Sequence, residues 1–317
     1  MICVLTGGTG GAKFVQGLHA VLPPSELVVV VNTGDDLRWW GLHVSPDLDS
    51  VVYALAGLLS RDRGWGLEGD TFHCLDQMKS LGAPAWFQLG DRDLATHLAR
   101  TQLLAGGRTL SQATARIASA VGVRSRIVPM SDDPVETRVR TADGRDLSFQ
   151  EFFVRDRYQP AVRAVRFEGA ENSRPAPGVV EAILSAHAVL IAPSNPITSI
   201  GPILAVPGIR QALQDTAAPV AAVSPIVGDA PVSGPAGALM SAHGLSVSIA
   251  GVAETYSGFL DILIADQADA AAASELRRPG LPVHCVPTIM RSDADKIALA
   301  RAALQSTVPD LALAGAR

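Results

Sequence analysis

The opening segment, residues 1–31, constrains the fold more than any other stretch. Ile2–Thr6 is a short apolar run and Gly7–Gly11 a glycine-rich loop. Ala12 to Leu22 carries Phe14, Leu18, Val21 and Leu22 at helical spacing, and Pro23-Pro24 stops that helix. Leu27–Val31 is a valine-rich run, the pattern of a strand buried on both faces. Strand, loop, helix and strand in that order predict an α/β fold with a parallel sheet and a right-handed crossover.

The pattern then changes twice. Around Val51–Leu59, Phe72–Leu81, Leu94–Leu104 and Leu110–Val121 apolar residues recur at helical spacing. These predict a small helical subdomain, about 60–124, inserted in the α/β core, with Ser111 starting its last helix after Gly106-Gly107. Ser125–Met130, Glu136–Thr141, Leu147–Phe153 and Val162–Phe167 read as strands, with Asp143-Gly144 as a tight turn. The α/β pattern returns with a helix at Val180–Ala186 and strands at Val189–Ala192, Pro219–Val223 and Leu260–Ala265. Ala268–Ser274 suits a surface helix, and Ser292 is placed to cap a closing helix to Leu304.

Composition excludes several classes. With 317 residues, 48% of them hydrophobic and 18% charged, the chain can bury a sizeable core. The net charge of −5 and the lack of a basic run disfavour nucleic acid. The longest apolar stretches are far too short to span a bilayer. No signal peptide is visible at the amino end. Cys3, Cys74 and Cys285 form no close pair, so a disulfide framework and a structural zinc site are not expected, and a cytoplasmic setting fits.

The chemistry-bearing residues lie in loops that follow strands. Gly7-Gly8-Thr9-Gly10-Gly11-Ala12-Lys13 lets the backbone approach a phosphate at a helix N-terminus, although Ala12 rules out a P-loop. The alternative is a tight strand–helix turn with no ligand. Asn32-Thr33-Gly34-Asp35-Asp36 and Pro46-Asp47-Leu48-Asp49 put carboxylates on the same predicted rim. Beside a phosphate they call for a divalent cation, and Mg²⁺ held through one or two carboxylates is the natural outcome. Each aspartate can equally cap a turn or helix. Gly90-Asp91-Arg92-Asp93 offers a guanidinium fork, but spacing alone favours a helix start, with Asp91 as its cap, and a surface ion pair. Ser131-Asp132-Asp133-Pro134 reads as a turn. Ser194 and Asn195, and the loop Ser224–Gly237, follow further strands and can offer donors to a nucleotide. Trp39 and Trp40 can stack on a flat ring or fill a core.

Taken in order, Thr6–Lys13, Val30–Asp36, Ser45–Ser50, Gly90–His97, Pro129–Val135, Pro193–Pro202 and Ser224–Gly237 resemble the 2-phospho-L-lactate transferase (CofD-like) family over almost the whole chain. The resemblance implies a Rossmann-like parallel core with a small helical subdomain and a homodimer, to which the strand pattern after Ser125 adds a short β-rich insertion. It implies transfer of a phospho-acid group (2-phospholactyl, phosphoenolpyruvyl or 3-phosphoglyceryl) from a guanosine diphosphate-linked donor. The acceptor is the ribityl hydroxyl of 7,8-didemethyl-8-hydroxy-5-deazariboflavin, GMP is released, and the product belongs to coenzyme F-420 biosynthesis. Under that reading Gly8, Thr9, Gly10, Gly11, Lys13, Ser194 and Asn195 bind donor phosphate. Asp35, Asp36, Asp47 and Asp49 are the metal candidates. Asp49, Arg92 and Trp40 face the deazaflavin, and Asp49 and Asp36 are the catalytic candidates. Two rivals are a non-catalytic relative that binds a nucleotide sugar and a dinucleotide-dependent dehydrogenase. The aspartates favour the enzyme over the first, and the glycine spacing is wrong for the second.

Overall fold

Two five-residue apolar runs, Ile2–Thr6 (β1) and Leu27–Val31 (β2), are buried along their whole length and pair in parallel, Ile2 opposite Leu27. In the computed structural model, which describes residues 1–276 and 281–310, they form the centre of a seven-stranded parallel sheet. The other strands are Arg126–Pro129 (β3), Ala188–Ile191 (β4), Val220–Val223 (β5), Ile262–Asp266 (β6) and Val283–Val286 (β7). Their spatial order is β7-β6-β5-β4-β1-β2-β3. The chain builds outward from β1 to β3, then returns to the other side of β1 with β4. That reversal makes a crevice beyond the carboxyl ends of β1 and β4, where open α/β sheets bind ligands.

Alternation along β1 divides the core. Ile2 and Val4 pack with Phe14, Leu18 and the closing helix Asp293–Thr307, while Cys3 and Leu5 pack with Val28, Ile183 and Ile191 on the opposite face. Helix α1, Gly8–Val21, lies against that closing helix. Gly17 leaves room there for the Lys296 carbonyl, and Lys296 Nζ donates to Gln16 Oε1 at 2.7 Å.

Between β2 and β3 come a hairpin (Leu37–Trp39 with Leu42–Val44) and helices α2 (Pro46–Leu55), α3 (His73–Ser80), α4 (Asp91–Ala105) and α5 (Leu110–Ala120). After β3, Glu136–Thr141, Asp146–Ser148 and Val162–Glu168 form a separate three-stranded antiparallel sheet. The fold is thus α/β with a parallel core, as the sequence predicts. No helix among the described residues is long and apolar enough to cross a membrane.

Several boundaries differ from expectation. Helix α2 starts earlier, because Pro46 occupies its first turn where no N–H is needed. Thr109, not Ser111, caps α5, in a reciprocal capping box with Gln112. The strand expected over Leu147–Phe153 ends at Ser148 and gives way to one turn of π-helix, Glu151–Arg155. Strand β7 was not anticipated. Ser292 does cap the closing helix, and Gly144 at φ +90° makes the expected turn.

Candidate active site

Three loops meet at the β1/β4 crevice because glycine lets them. A Cβ on Gly7 would fall 2.7 Å from Asp47 Oδ2, and one on Gly10 would fall 2.8 Å from the Pro193 carbonyl. The Ser194 hydroxyl donates to Gly7 O at 2.7 Å and accepts from Gly7 N–H at 3.3 Å, tying the loop after β4 to the loop after β1. Helix α1 begins at Gly8 without a cap from its own N-cap side chain; the Gly8 N–H meets the Asp47 carboxylate, and the next N–H groups of the first turn can meet an anion.

These loops wall one end of a cleft of about 730 Å³, large enough for a substrate of several rings. Gly8, Thr9, Gly10, Lys13, Ser194 and Asn195 line it, as do Asp35, Asp47 and Asp49. Lys13 has no ion-pair partner among the described residues. Asn195 turns its Oδ1 back to the Ile197 and Thr198 N–H groups. Gly11 does not line the cleft. It packs against Thr6 and Ser194, where a Cβ would be 2.5 Å from the Ser194 hydroxyl.

The aspartates separate into different settings. Asp35 and Asp47 are 5% and 7% exposed and have no ion-pair partner among the described residues. Burial, and then the charge of Asp47, hold the Asp35 carboxyl well above the usual range. Asp35 Oδ1 is buried with no hydrogen-bond partner among the described residues. Burial likewise pushes Asp47 up to about 6, against the opposing effect of the Asn32 amide, which donates to Asp47 Oδ2 at 2.9 Å. Two crowded carboxylates with one orphaned oxygen, beside a helix N-terminus, are a donor set lacking positive charge.

Asp49 is different. Two residues from Asp47 in α2, it points to another side of the helix. There the buried Arg100 grips both its oxygens, Nη1 at 3.1 Å from Oδ2 and Nη2 on Oδ1. His97 lies between Asp49 Oδ2 at 3.6 Å and Asp93 Oδ1 at 3.4 Å, and the Tyr53 hydroxyl donates to Asp93 at 2.6 Å. Burial works to raise the Asp93 carboxyl, but His97 and Tyr53 outweigh it and hold it below its ordinary value. Burial and the charges of Asp49 and Asp93 raise the Tyr53 phenol.

Several of the sequence assignments are corrected by this geometry. Asp35, Asp36, Asp47 and Asp49 do not converge on one centre, and no three His, Cys, Asp or Glu among the described residues are set to hold a metal alone. Asp36 turns out of the cleft, accepting from the Ser45 hydroxyl at 2.6 Å and meeting His43 Nε2 at 3.0 Å. Arg92 is exposed and outside the cleft, its guanidinium on the Glu68 carbonyl at 2.9 Å. Trp40 also lies outside, donating its indole N–H to the Pro84 carbonyl at 2.9 Å. Asp91 caps α3 rather than its own helix, accepting from the N–H groups of His73 and Cys74. Asp132 accepts from Ser111 and Asp133 from the Arg174 N–H, in turns as the sequence favoured.

The aromatic surface the sequence assigned to Trp40 comes instead from Trp65, Trp86, Phe87, Phe149 and Phe153, which line the cleft. Trp86 sits edge-on to Trp39, centroids 4.7 Å apart. The adjacent aromatics in Ala85-Trp86-Phe87, after the turn at Gly82, were the readable signal. Asp93, His97 and Arg100 were readable too, as a charged i, i+4, i+7 row on one face of α4.

The family described as 2-phospho-L-lactate transferase CofD matches residues 2–289. A phosphoenolpyruvate transferase of Streptomyces coelicolor is 46% identical over 309 residues, 96% of this chain and 97% of that protein. A 2-phospho-L-lactate transferase of Methanosarcina mazei is 44% identical over 303 residues, 96% of this chain and 99% of that protein. The crystal structure of a UPF0052 family member from Bacillus halodurans superposes with a TM-score of 0.67 at 16% identity, over 96% of this chain and 98% of that one. At that identity the likeness is one of fold.

Proposed function

The chain belongs to the 2-phospho-L-lactate transferase CofD family, and from that premise we propose that it transfers a phospho-acid from a guanosine diphosphate-linked donor to a deazaflavin. The acceptor is 7,8-didemethyl-8-hydroxy-5-deazariboflavin, and the step belongs to coenzyme F-420 biosynthesis. Its terminal ribityl hydroxyl attacks the phosphorus that bears the acid. The new P–O bond forms as the bond to the GMP phosphate breaks, and the hydroxyl proton is lost.

The observation that carries this reading is the crowded Asp35–Asp47 pair beside the open N-terminus of α1. Such a displacement needs positioning and charge neutralisation more than covalent catalysis. The first-turn N–H groups of α1 and Lys13 hold the diphosphate oxygens. Asp35 and Asp47 would hold Mg²⁺, which supplies the positive charge that lets their carboxylates and the diphosphate share one end of the cleft. Trp65, Trp86 and Phe87 offer flat surfaces to the deazaflavin ring. Asp49, gripped by Arg100, is a positioning residue that holds α2 to α4 beneath the substrates. The resemblance also supports a homodimer in the cytoplasm, and sedimentation of the purified chain checks the dimer.

The relatives' names differ in the acid they carry, so all three donors enter the test. Purified protein is incubated with the deazaflavin, Mg²⁺ and each guanylated acid, and GMP is followed by chromatography. GMP formation with one donor is expected. No GMP with any of them, together with tight binding of a nucleotide sugar, would convert the reading to that of a non-catalytic relative.

A further inference from the structure

Arg157 and Tyr158 hold left-handed backbone conformations, with φ of +50° and +46°. Elsewhere among the described residues such angles fall on glycine, apart from Trp40. Trp40 is explained by its place with Gly41 in a two-residue hairpin turn. Arg157 and Tyr158 join no hairpin. They follow directly on the π-helical turn Glu151–Arg155, and both features recur where a backbone is bent to aim a side chain.

The surroundings lock this bend. The Tyr158 N–H donates to the Phe152 carbonyl at 2.8 Å, and the Phe153 ring stacks between Phe149 and Tyr158, centroids 5.4 and 5.8 Å away. Phe149, Gln150, Phe153, Val154 and Arg157 all line the cleft. Gln150 Nε2 donates to the Asp35 carbonyl at 3.1 Å, which ties this segment to the acidic pair.

The nearby arginines are engaged: Arg145 and Arg155 both bind Asp156, and Arg155 also binds Glu151. Arg157 has no ion pair and no side-chain hydrogen bond among the described residues. Glycine would relieve the backbone at this position, so the strain is tolerated for the sake of the guanidinium.

We infer that Arg157 binds the carboxylate of the acid carried by the donor and makes the enzyme demand an acidic substituent on the transferred phosphate. This rests on the transferase reading above. Diphosphate oxygens already have the α1 N-terminus and Lys13. The acid hangs from the phosphorus under attack, beside Asp35 and hence beside the Gln150 segment. A planar fork suits a carboxylate, which it can bind with two parallel hydrogen bonds.

The test measures dissociation constants by calorimetry with four probes. These are GMP, guanosine diphosphate carrying lactate, the same carrying enolpyruvate, and the same carrying an ethyl group in place of the acid. Arg157→Met should weaken both carboxylate probes about 10- to 100-fold and leave GMP and the ethyl compound unchanged. Arg157→Gly should lose the same affinity while its unfolding midpoint stays level or rises, because glycine accepts the positive φ. Equal weakening of GMP would overturn the inference in favour of nucleotide recognition, and unchanged binding of all four would overturn it outright. Wild-type protein that binds neither carboxylate probe would overturn the transferase reading itself and this inference with it.

Discussion

Asp47 and Asp49 are two positions apart in α2, yet the protein gives them opposite surroundings. Asp47 faces Asp35 and the start of α1, with the Asn32 amide and the Gly8 N–H, but no fixed cation among the described residues, to offset its charge. Asp49 faces α4, where Arg100 and His97 surround it. A step of two residues turns a helix by about 200°, so one short acidic motif supplies two different settings on the wall of one cleft. The Asp49 side is complete within the protein and holds two helices together. The Asp35–Asp47 side has no fixed cation among the described residues, and in the proposed reading a cation and an anionic ligand complete it. Burial alone therefore does not separate structural from functional carboxylates; the presence or absence of a fixed counter-charge does.

The largest expected effect lies on the closed side. Arg100→Met leaves Asp49 buried without its partner and should cost about 3–5 kcal/mol of stability, read by urea denaturation. Asp49→Asn should be similar in kind, since it strands Arg100. A variant at either position as stable as the parent would break the contrast. On the open side, Asp35→Asn should reduce GMP release by about 100- to 1000-fold, while the metal-free unfolding midpoint stays level or rises as repulsion is relieved. Loss of stability there would mean that the pair is structural.

The pH response sharpens the contrast further. Burial pushes the Asp47 carboxyl up to about 6 in the folded protein from an ordinary 3.8. A raised carboxyl binds its proton more tightly when folded. Its contribution to metal-free stability is therefore full below about pH 4 and is lost as pH rises through 6. Divalent-cation affinity runs the other way, so stabilisation by Mg²⁺ should be strong at pH 8 and fade below pH 6, seen as a shrinking shift in unfolding midpoint. The smallest effect belongs outside the cleft. Arg92→Ala should change turnover less than about threefold, as for surface substitutions worth ~0.5 kcal/mol.

How much of this was legible follows from the range of the interactions. The β1–loop–α1–β2 unit is local and periodic, and its strands are where the pattern puts them, but α1 begins at Gly8 and takes in all of the expected glycine loop except Gly7. Asp35, Asp47 and Lys13 follow from that unit and the rule for ligands at strand ends. The grip of Arg100 on Asp49 spans 51 residues, and no local pattern reports it, so Asp49 read as a free ligand. The resemblance assigned Arg92 and the local pattern did not single out Arg100, yet Arg92 is exposed while Arg100 is buried against Asp49. The edge strand Val283–Val286 is short and only partly buried, so it lacks the run that marks β1 and β2. Arg157 carried no signal, because a left-handed arginine looks like any other until its backbone is seen.

The proposed cation site at Asp35 and Asp47 is tested most directly by electron paramagnetic resonance with Mn²⁺ as the probe for Mg²⁺, in the presence of GDP. One bound ion is expected for the wild type and for Asp36→Asn, and its signal should vanish in Asp35→Asn and in Asp47→Asn. An ion bound with unchanged affinity in both of those variants would contradict the account.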